Sequence, residues 1–221
     1  MTASALVVGP DGLPRCPWAT SAEEYLAYHD QEWGRPLDGD DALFERLTLE
    51  AFQSGLSWLT ILRKRPAFRA AFAGFSIPAV AAFDESDQAR LMADAGIVRN
   101  RAKVAAAIAN ARVALQLPEG LSALLWSYAP ATPAPPPEGL GDVPATTAES
   151  VAMARGLKAR GFVFVGPTTA YALMQATGMV DDHLVGCHAR GGSTPSRVSR
   201  ARAGRSPRSG RQPGAGARPT T

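Results

Sequence analysis

Leu91-Met-Ala-Asp-Ala-Gly-Ile-Val-Arg-Asn-Arg-Ala-Lys-Val104 decides how the chain is to be read. A helix-forming stretch with Leu91, Met92 and Ala95 passes through Ala95-Gly-Ile-Val-Arg99 into a second stretch. There Val104, Ile108, Ala111 and Leu115 recur at helical spacing and define one apolar face. Two helices joined by so short a turn form a helix–hairpin–helix candidate. Gly96 permits a positive φ and lets backbone amides approach a phosphate. Arg99, Arg101 and Lys103 follow as a local basic patch. Phosphate contact of this kind is indifferent to base sequence. A glycine between two helices is also the ordinary way to make a turn, and that reading stands beside the first.

Helical signals continue on both sides. Ser21 with Glu24 has capping-box spacing ahead of Tyr25, Leu26 and Tyr28. A second helix starts near Asp40 or Asp41, carries Leu43, Phe44, Leu47 and Ala51 on its apolar face, and is interrupted at Gly55. A third starts near Ser57 and is broken or kinked at Pro66. Asp84–Ser86 caps the helix that enters the hairpin, and a short helix spans about 122–129. Pro130–Pro144 is a Pro- and Gly-rich loop. Thr146 with Glu149 opens a helix to about Ala159. Gly161-Phe-Val-Phe-Val-Gly166 reads as a buried extended connector, since one isolated strand would have no partner. Pro167 then starts a helix that Gly178 caps, and Asp181–His188 makes a last helical turn or two. There is no internal repeat. The expected fold is all-α, with residues 1–13 as a mobile leader, 14–189 as the folded domain and 190–221 as a disordered tail.

Charge supports that division. The 221 residues carry a formal net charge of +3, yet eight arginines and no acid fall between Arg190 and Thr221. The remaining body holds fifteen basic residues against twenty acidic ones, a net of −5. Such a body does not coat nucleic acid by bulk charge, and any DNA contact must come from a local patch around Gly96–Lys103, with Arg63, Lys64 and Arg65 as further candidates. The tail is expected to add salt-dependent, non-specific attraction to DNA. No run of ~18 apolar residues occurs, which excludes a membrane-spanning helix. No signal-peptide pattern opens the chain, and two cysteines make no disulfide framework, so a cytoplasmic protein is expected.

The two cysteines and three histidines fall in two groups, Cys16 with His29 and His183 with Cys187 and His188. His183 and Cys187 stand at i, i+4, so on a helix both project from one face and can chelate one ion. Cys16 and His29 flank the first helix and can supply two further ligands. Two Cys and two His make a structural zinc pattern closed to catalysis, and would join the N- and C-terminal parts of the body. His188, at i+5 from His183, lies off that face and ranks below it. Buried cysteines that act as small hydrophobes, with surface histidines, are the plainer alternative.

Trp18, Tyr25, Tyr28, Trp33 and Trp58 cluster within 41 residues of a chain that has only four Trp and four Tyr. Aromatic side chains are most often core. Glu50 changes the balance, because it occupies a slot on the apolar face set by Leu43 and Leu47. A buried carboxylate must find partners or shift its pKa. An aromatic cage with one carboxylate suits a flat cationic ligand bearing hydrogen-bond donors, such as a positively charged purine. A Glu50 that caps backbone amides or pairs with an Arg remains the alternative.

Six ordered strings resemble the DNA-3-methyladenine glycosylase I family of bacterial repair enzymes. They are Arg15-Cys-Pro-Trp18, Tyr25-Leu-Ala-Tyr-His-Asp-Gln-Glu-Trp-Gly34, Leu49-Glu-Ala-Phe-Gln-Ser-Gly-Leu-Ser-Trp58, Asp94-Ala-Gly-Ile-Val-Arg99, Arg160-Gly-Phe-Val-Phe-Val-Gly166 and Asp182-His-Leu-Val-Gly-Cys187. The resemblance runs from about Arg15 to Cys187 and leaves out the leader and the tail. It implies a helix–hairpin–helix glycosylase fold and one structural Zn2+ held by Cys16, His29, His183 and Cys187. It further implies a base pocket of Glu50, Tyr28 and Trp58 lined by Trp18, Tyr25 and Trp33. The family lacks the catalytic Asp that most such glycosylases carry after the hairpin, and no Asp occurs in Arg99–Leu117. The implied activity is release of 3-methyladenine from alkylated double-stranded DNA by a monomer, after base flipping. Glu50 and Tyr28 would pair with the base and Trp58 would stack on it. Leu56, beside Gly55 at a turn, would wedge into the gap. A non-catalytic helix–hairpin–helix DNA-binding module needs the hairpin but neither Glu50 nor Trp58, and a zinc-stabilised interaction protein needs neither.

Overall fold

The computed structural model describes residues 6–191. The Arg-rich stretch from residue 192 onward and the first five residues lie outside the described residues, so the expectation of a disordered tail falls there. Among the described residues the chain is mostly helical. Its nine α-helices are α1 (Glu23–Gln31), α2 (Asp40–Gln53), α3 (Trp58–Ala71), α4 (Ile77–Ala81), α5 (Glu85–Ala93), α6 (Arg101–Leu115), α7 (Leu121–Trp126), α8 (Ala148–Ala159) and α9 (Pro167–Ala176). Two short strands, β1 (Val7–Val8) and β2 (Pro14–Arg15), pair antiparallel. That pairing crosses the expected boundary at residue 13, so part of the leader is a hairpin joined to the body.

α2 is the central element. It packs against α3, α6, α7 and α9, while α4 lies along α6 and α8 along α9. Leu43, Phe44, Leu47, Leu49 and Phe52 of α2 are buried in one apolar core with Phe68, Phe72, Ile108 and Leu173. Burial of this kind contributes about 1.5–3 kcal/mol per large side chain, which is what fixes α2 and everything it carries. A smaller cluster of Cys16, Leu184, Cys187 and Ala189, with Leu6 and Trp18 against it, joins the two ends of the folded chain.

Local chemistry explains most helix ends, with some shifts from the sequence reading. The α5 start is as expected, with Asp84 accepting from the amides of Ser86 and Asp87. The α1 start is not, because Ala22 is its N-cap and the Ser21 hydroxyl donates instead to the Trp18 carbonyl at 2.7 Å. The box ahead of α8 is Thr147 with Ser150, one residue beyond Thr146. α3 runs through Pro66, because Ile61, Leu62, Phe68 and Ala71 bury the helix on both sides of it. Leu115 does not join the apolar face of α6 and is 54 % exposed; Ala107 and Ala114 are buried in that helix instead. Gly178 ends α9 with φ +69, and a Cβ there would lie 2.5 Å from the Arg35 backbone, so only glycine fits.

Candidate functional site

α1, α2, α3 and α9 together frame a cavity of about 440 Å³. Trp18, Tyr25, Tyr28, Trp33, Glu50 and Trp58 all line it, so every residue expected in a pocket is in one place. Their rings form a continuous wall. Trp18 meets Tyr25 edge-on at 5.7 Å and Trp33 at 5.1 Å, and Tyr28 lies 5.5 Å from Trp58. The Tyr25 hydroxyl accepts from the Leu59 amide at 2.9 Å, tying the first turn of α3, and with it Trp58, to α1. The Trp58 indole N–H is buried with no partner among the described residues.

Glu50 reaches this cavity from the apolar face of α2. It is 5 % exposed, and no hydrogen bond to its carboxylate is formed among the described residues. Burial pushes its carboxyl up to about 7, against the pull of the Arg46 guanidinium one helical turn earlier. Arg46 was not singled out from the sequence, although its i, i+4 spacing to Glu50 was visible. It donates to the Tyr28 hydroxyl at 3.2 Å and to Glu32 at 3.1 Å, and its charge lies over the Tyr28 ring. Because the Tyr28 oxygen accepts from Arg46, its own hydrogen remains for donation to a ligand. Burial raises the Tyr28 phenol above its ordinary range, so it stays protonated at neutral pH.

Next to the cavity lies the Cys/His cluster. The candidate ligand atoms of Cys16, His29, His183 and Cys187 lie within 4.8 Å of one another, and all four residues are buried. The His29 Nε2–His183 Nδ1 distance is 3.2 Å, His29 Nε2–Cys187 Sγ is 3.4 Å, His183 Nδ1–Cys187 Sγ is 3.6 Å and His183 Nδ1–Cys16 Sγ is 3.9 Å. A tetrahedral zinc site with ordinary bond lengths has edges of about 3.3 Å between nitrogens and about 3.5 Å between nitrogen and sulfur, so the donor set fits such an ion. The remaining ring nitrogens are spoken for. His29 Nδ1 meets Asp30 at 2.8 Å, and His183 Nε2 meets the Trp33 carbonyl at 3.1 Å, which leaves His29 Nε2 and His183 Nδ1 facing inward. Cys16 holds the Cys187 thiol well below the usual thiol range, helped by His183 and His29, and the Cys187 sulfur pushes Cys16 up. His188 is outside the set and binds Asp30 at 2.9 Å. The helical turn expected over 181–188 is absent. His183 and Cys187 converge through a non-helical segment that Arg190 fastens by donating to the His183 and Asp181 carbonyls. Arg190 therefore belongs to the body rather than to the tail.

The hairpin after α5 departs from expectation. Gly96 has no positive φ, and its amide donates to the Asp94 carboxylate at 2.7 Å. The Ala95 and Gly96 carbonyls are taken by Lys64 at 2.9 and 3.1 Å. An occupied amide beside a carboxylate makes a poor phosphate cradle. Lys103 also turns inward, donating to the Phe52 and Ser54 carbonyls at 2.9 and 2.6 Å, and only Arg99 and Arg101 of that patch stay exposed. Arg63 and Arg65 are engaged by Glu24 and Glu32.

The turn between α8 and α9 has the properties that the first hairpin lacks. Phe162 is buried, but Val163 is 43 % and Phe164 48 % exposed, so Gly161–Gly166 is an outward turn and not a buried connector. Phe164 has φ +60, and the buried Asn110 clamps Val163 through both its amide and its carbonyl, at 2.8 and 3.0 Å. The amides of Phe164, Val165 and Gly166 have no acceptor among the described residues. The signal in the sequence was the Gly161…Gly166-Pro167 spacing, which reads there as a buried connector followed by a helix start.

An aromatic cavity that holds one buried carboxylate has the chemistry to take a flat cationic ring. The chain belongs to the methyladenine glycosylase family, whose model matches residues 18–190. It is 44% identical over 187 residues to DNA-3-methyladenine glycosylase 1 of Escherichia coli (strain K12), across 83% of this chain and 100% of that protein. A crystal structure of 3-methyladenine DNA glycosylase I superimposes with a TM-score of 0.76 at 42% identity, covering 79% of this chain and 98% of that one. A tyrosine-to-phenylalanine variant of such an enzyme, solved in complex with 3-methyladenine, gives 0.75 at 36% identity, covering 79% and 96%.

Proposed function

We propose that this chain releases 3-methyladenine from alkylated DNA by hydrolysing its N-glycosidic bond, with the flipped base held in the aromatic cavity. The observation that carries the reading is Glu50, a buried carboxylate among aromatic rings with no hydrogen bond among the described residues. The 3-methyladenine bound by a structural relative supports the choice of base.

N3-methylation places positive charge on adenine. Glu50 then supplies both the opposing charge and an acceptor for the adenine edge, Tyr28 donates a second hydrogen bond, and Trp58 stacks on the ring. Trp18, Tyr25 and Trp33 close the walls and exclude water from the base. A cationic base is already a good leaving group, so the site needs no acid to protonate it before water attacks the sugar. Leu56, 40 % exposed at the turn between α2 and α3, fills the gap left in double-stranded DNA. The free amides of Phe164–Gly166 hold the DNA backbone, with Arg99 and Arg101 adding charge from the α5–α6 side.

Cys16, His29, His183 and Cys187 hold one Zn2+, which supplies structure and no activated water because protein fills all four positions. Zinc held by thiolates fits a reducing compartment, in keeping with a cytoplasmic enzyme that acts as a monomer.

The test is release of free 3-methyladenine from methylated duplex DNA. Wild type is expected to release it, and Glu50→Gln is expected to be slower by roughly 10²–10³-fold, the usual cost of removing a preorganised charge partner. DNA binding by a folded wild type that releases no base would favour the non-catalytic module instead.

A further inference from the structure

The mechanism so far makes no use of Lys103, yet its surroundings are unusual. It sits in the first turn of α6, is 8 % exposed, and makes no ion pair among the described residues. Burial lowers its pKa, so its charge is kept at a cost. What holds it is the end of α2. The last carbonyls of a helix lack intrahelical partners, and a cation placed there satisfies them and opposes the helix dipole. The carbonyls of residues 52–54 are all satisfied: Gln53 by the Leu56 amide at 2.6 Å, and Phe52 and Ser54 by the Lys103 ammonium. Directly beyond, Gly55 takes φ +81 and Leu56 turns to solvent before Ser57 caps α3.

Lys64 mirrors this arrangement from the other side, binding the two carbonyls at 95 and 96 from α3. The α2–α3 turn and the α5–α6 turn are thus cross-braced by one lysine each. Trp58 is anchored independently through Tyr25 and Tyr28, and Glu50 by the core packing of α2. Release of the brace therefore frees the turn without dismantling the pocket.

We propose that Lys103 is a positioning residue for opening the duplex, holding the Gly55–Leu56 turn in the shape that presents Leu56 to DNA. The inference rests on the wedge role proposed for Leu56.

The experiment compares wild type with Lys103→Met, Lys103→Arg and Leu56→Ala in two measurements: base release from methylated duplex DNA, and affinity for free 3-methyladenine by tryptophan fluorescence. Lys103→Met is expected to slow release from duplex by roughly 10–100-fold, as a misplacement near 1 Å does, with free-base affinity unchanged. Lys103→Arg, which still donates to both carbonyls, recovers most of the rate. Parallel loss of free-base affinity, or an unchanged duplex rate, overturns the proposal. An unchanged Leu56→Ala removes the wedge reading and this inference with it. A slow Leu56→Ala beside a normal Lys103→Met removes this inference alone. If Lys103→Met does not fold, the shorter Lys103→Gln, which keeps one donor group, carries the same two measurements.

Discussion

The Cys/His cluster and the base cavity share a wall, yet they treat buried polar groups in opposite ways. In the cluster every ring nitrogen has a partner, and Asp30 and the Trp33 carbonyl fix both tautomers from outside. In the cavity neither Glu50, which feels only the charge of Arg46, nor the Trp58 indole N–H has a hydrogen-bond partner among the described residues. Satisfied groups make a rigid joint. Unsatisfied ones hold binding capacity in reserve, at the expense of the folded state. The proposed division between a structural joint and a binding site rests on this contrast.

Three measurements would break or sharpen that contrast. The largest effect is expected from the cluster. If the cluster holds the proposed Zn2+, stripping it with a chelator, or Cys187→Ala, should leave buried ligands uncompensated at a cost of roughly 3–5 kcal/mol. That corresponds to a melting temperature lower by about 10 °C in a domain of this size. A fully folded, metal-free Cys187→Ala with unchanged melting would sink the structural role.

Glu50→Gln should do the reverse. The folded-state pKa of Glu50, about 7, lies above its ordinary 4.5, so the protonated form favours the fold. That contribution is complete below pH 4.5 and is lost as pH rises through about 7. At pH 8 the variant should be more stable than wild type by on the order of 3 kcal/mol while excising poorly, and the two should converge near pH 4.5. Denaturant titrations at both pH values check this, and a less stable variant at pH 8 would mean that Glu50 is partnered.

Trp58→Ala should have the smallest effect, weakening free-base affinity by about 1–3 kcal/mol, the value of one base–aromatic stack. Equilibrium binding of 3-methyladenine reads it, and an undiminished affinity would assign the stacking to another ring.

Much of both regions was legible because it depends on side-chain type and helical period. Glu50 stood out as an acid among Leu43, Leu47 and Ala51, and the four cluster residues stood out because the chain has so few Cys and His. What could not be read was direction. Lys103 and Arg99 are alike as charges in a string, but only the fold turns Lys103 toward the end of α2. Gly96 and Gly166 are alike as turn glycines. The Asp94 carboxylate occupies the first amide, and no acceptor among the described residues occupies the second. His183 and Cys187 met as expected, though by a non-helical path that the i, i+4 spacing could not foresee.

The cluster also sets a schedule for assembly. It joins Cys16 and His29 to His183 and Cys187, and the Cys16–His183 contact alone spans 167 residues of chain. Trp18, Tyr28 and Trp33 are synthesised early, but the wall they lean on includes His183, whose ring lies 4.7 Å from Trp33. A nascent chain therefore carries Glu50 and every aromatic of the cavity long before it has a pocket. Closure waits for nearly the whole body to emerge, as slow, non-local contacts do. Chains cut short before residue 183 would hold Glu50 and every aromatic of the cavity, and still lack the joint that sets them in place.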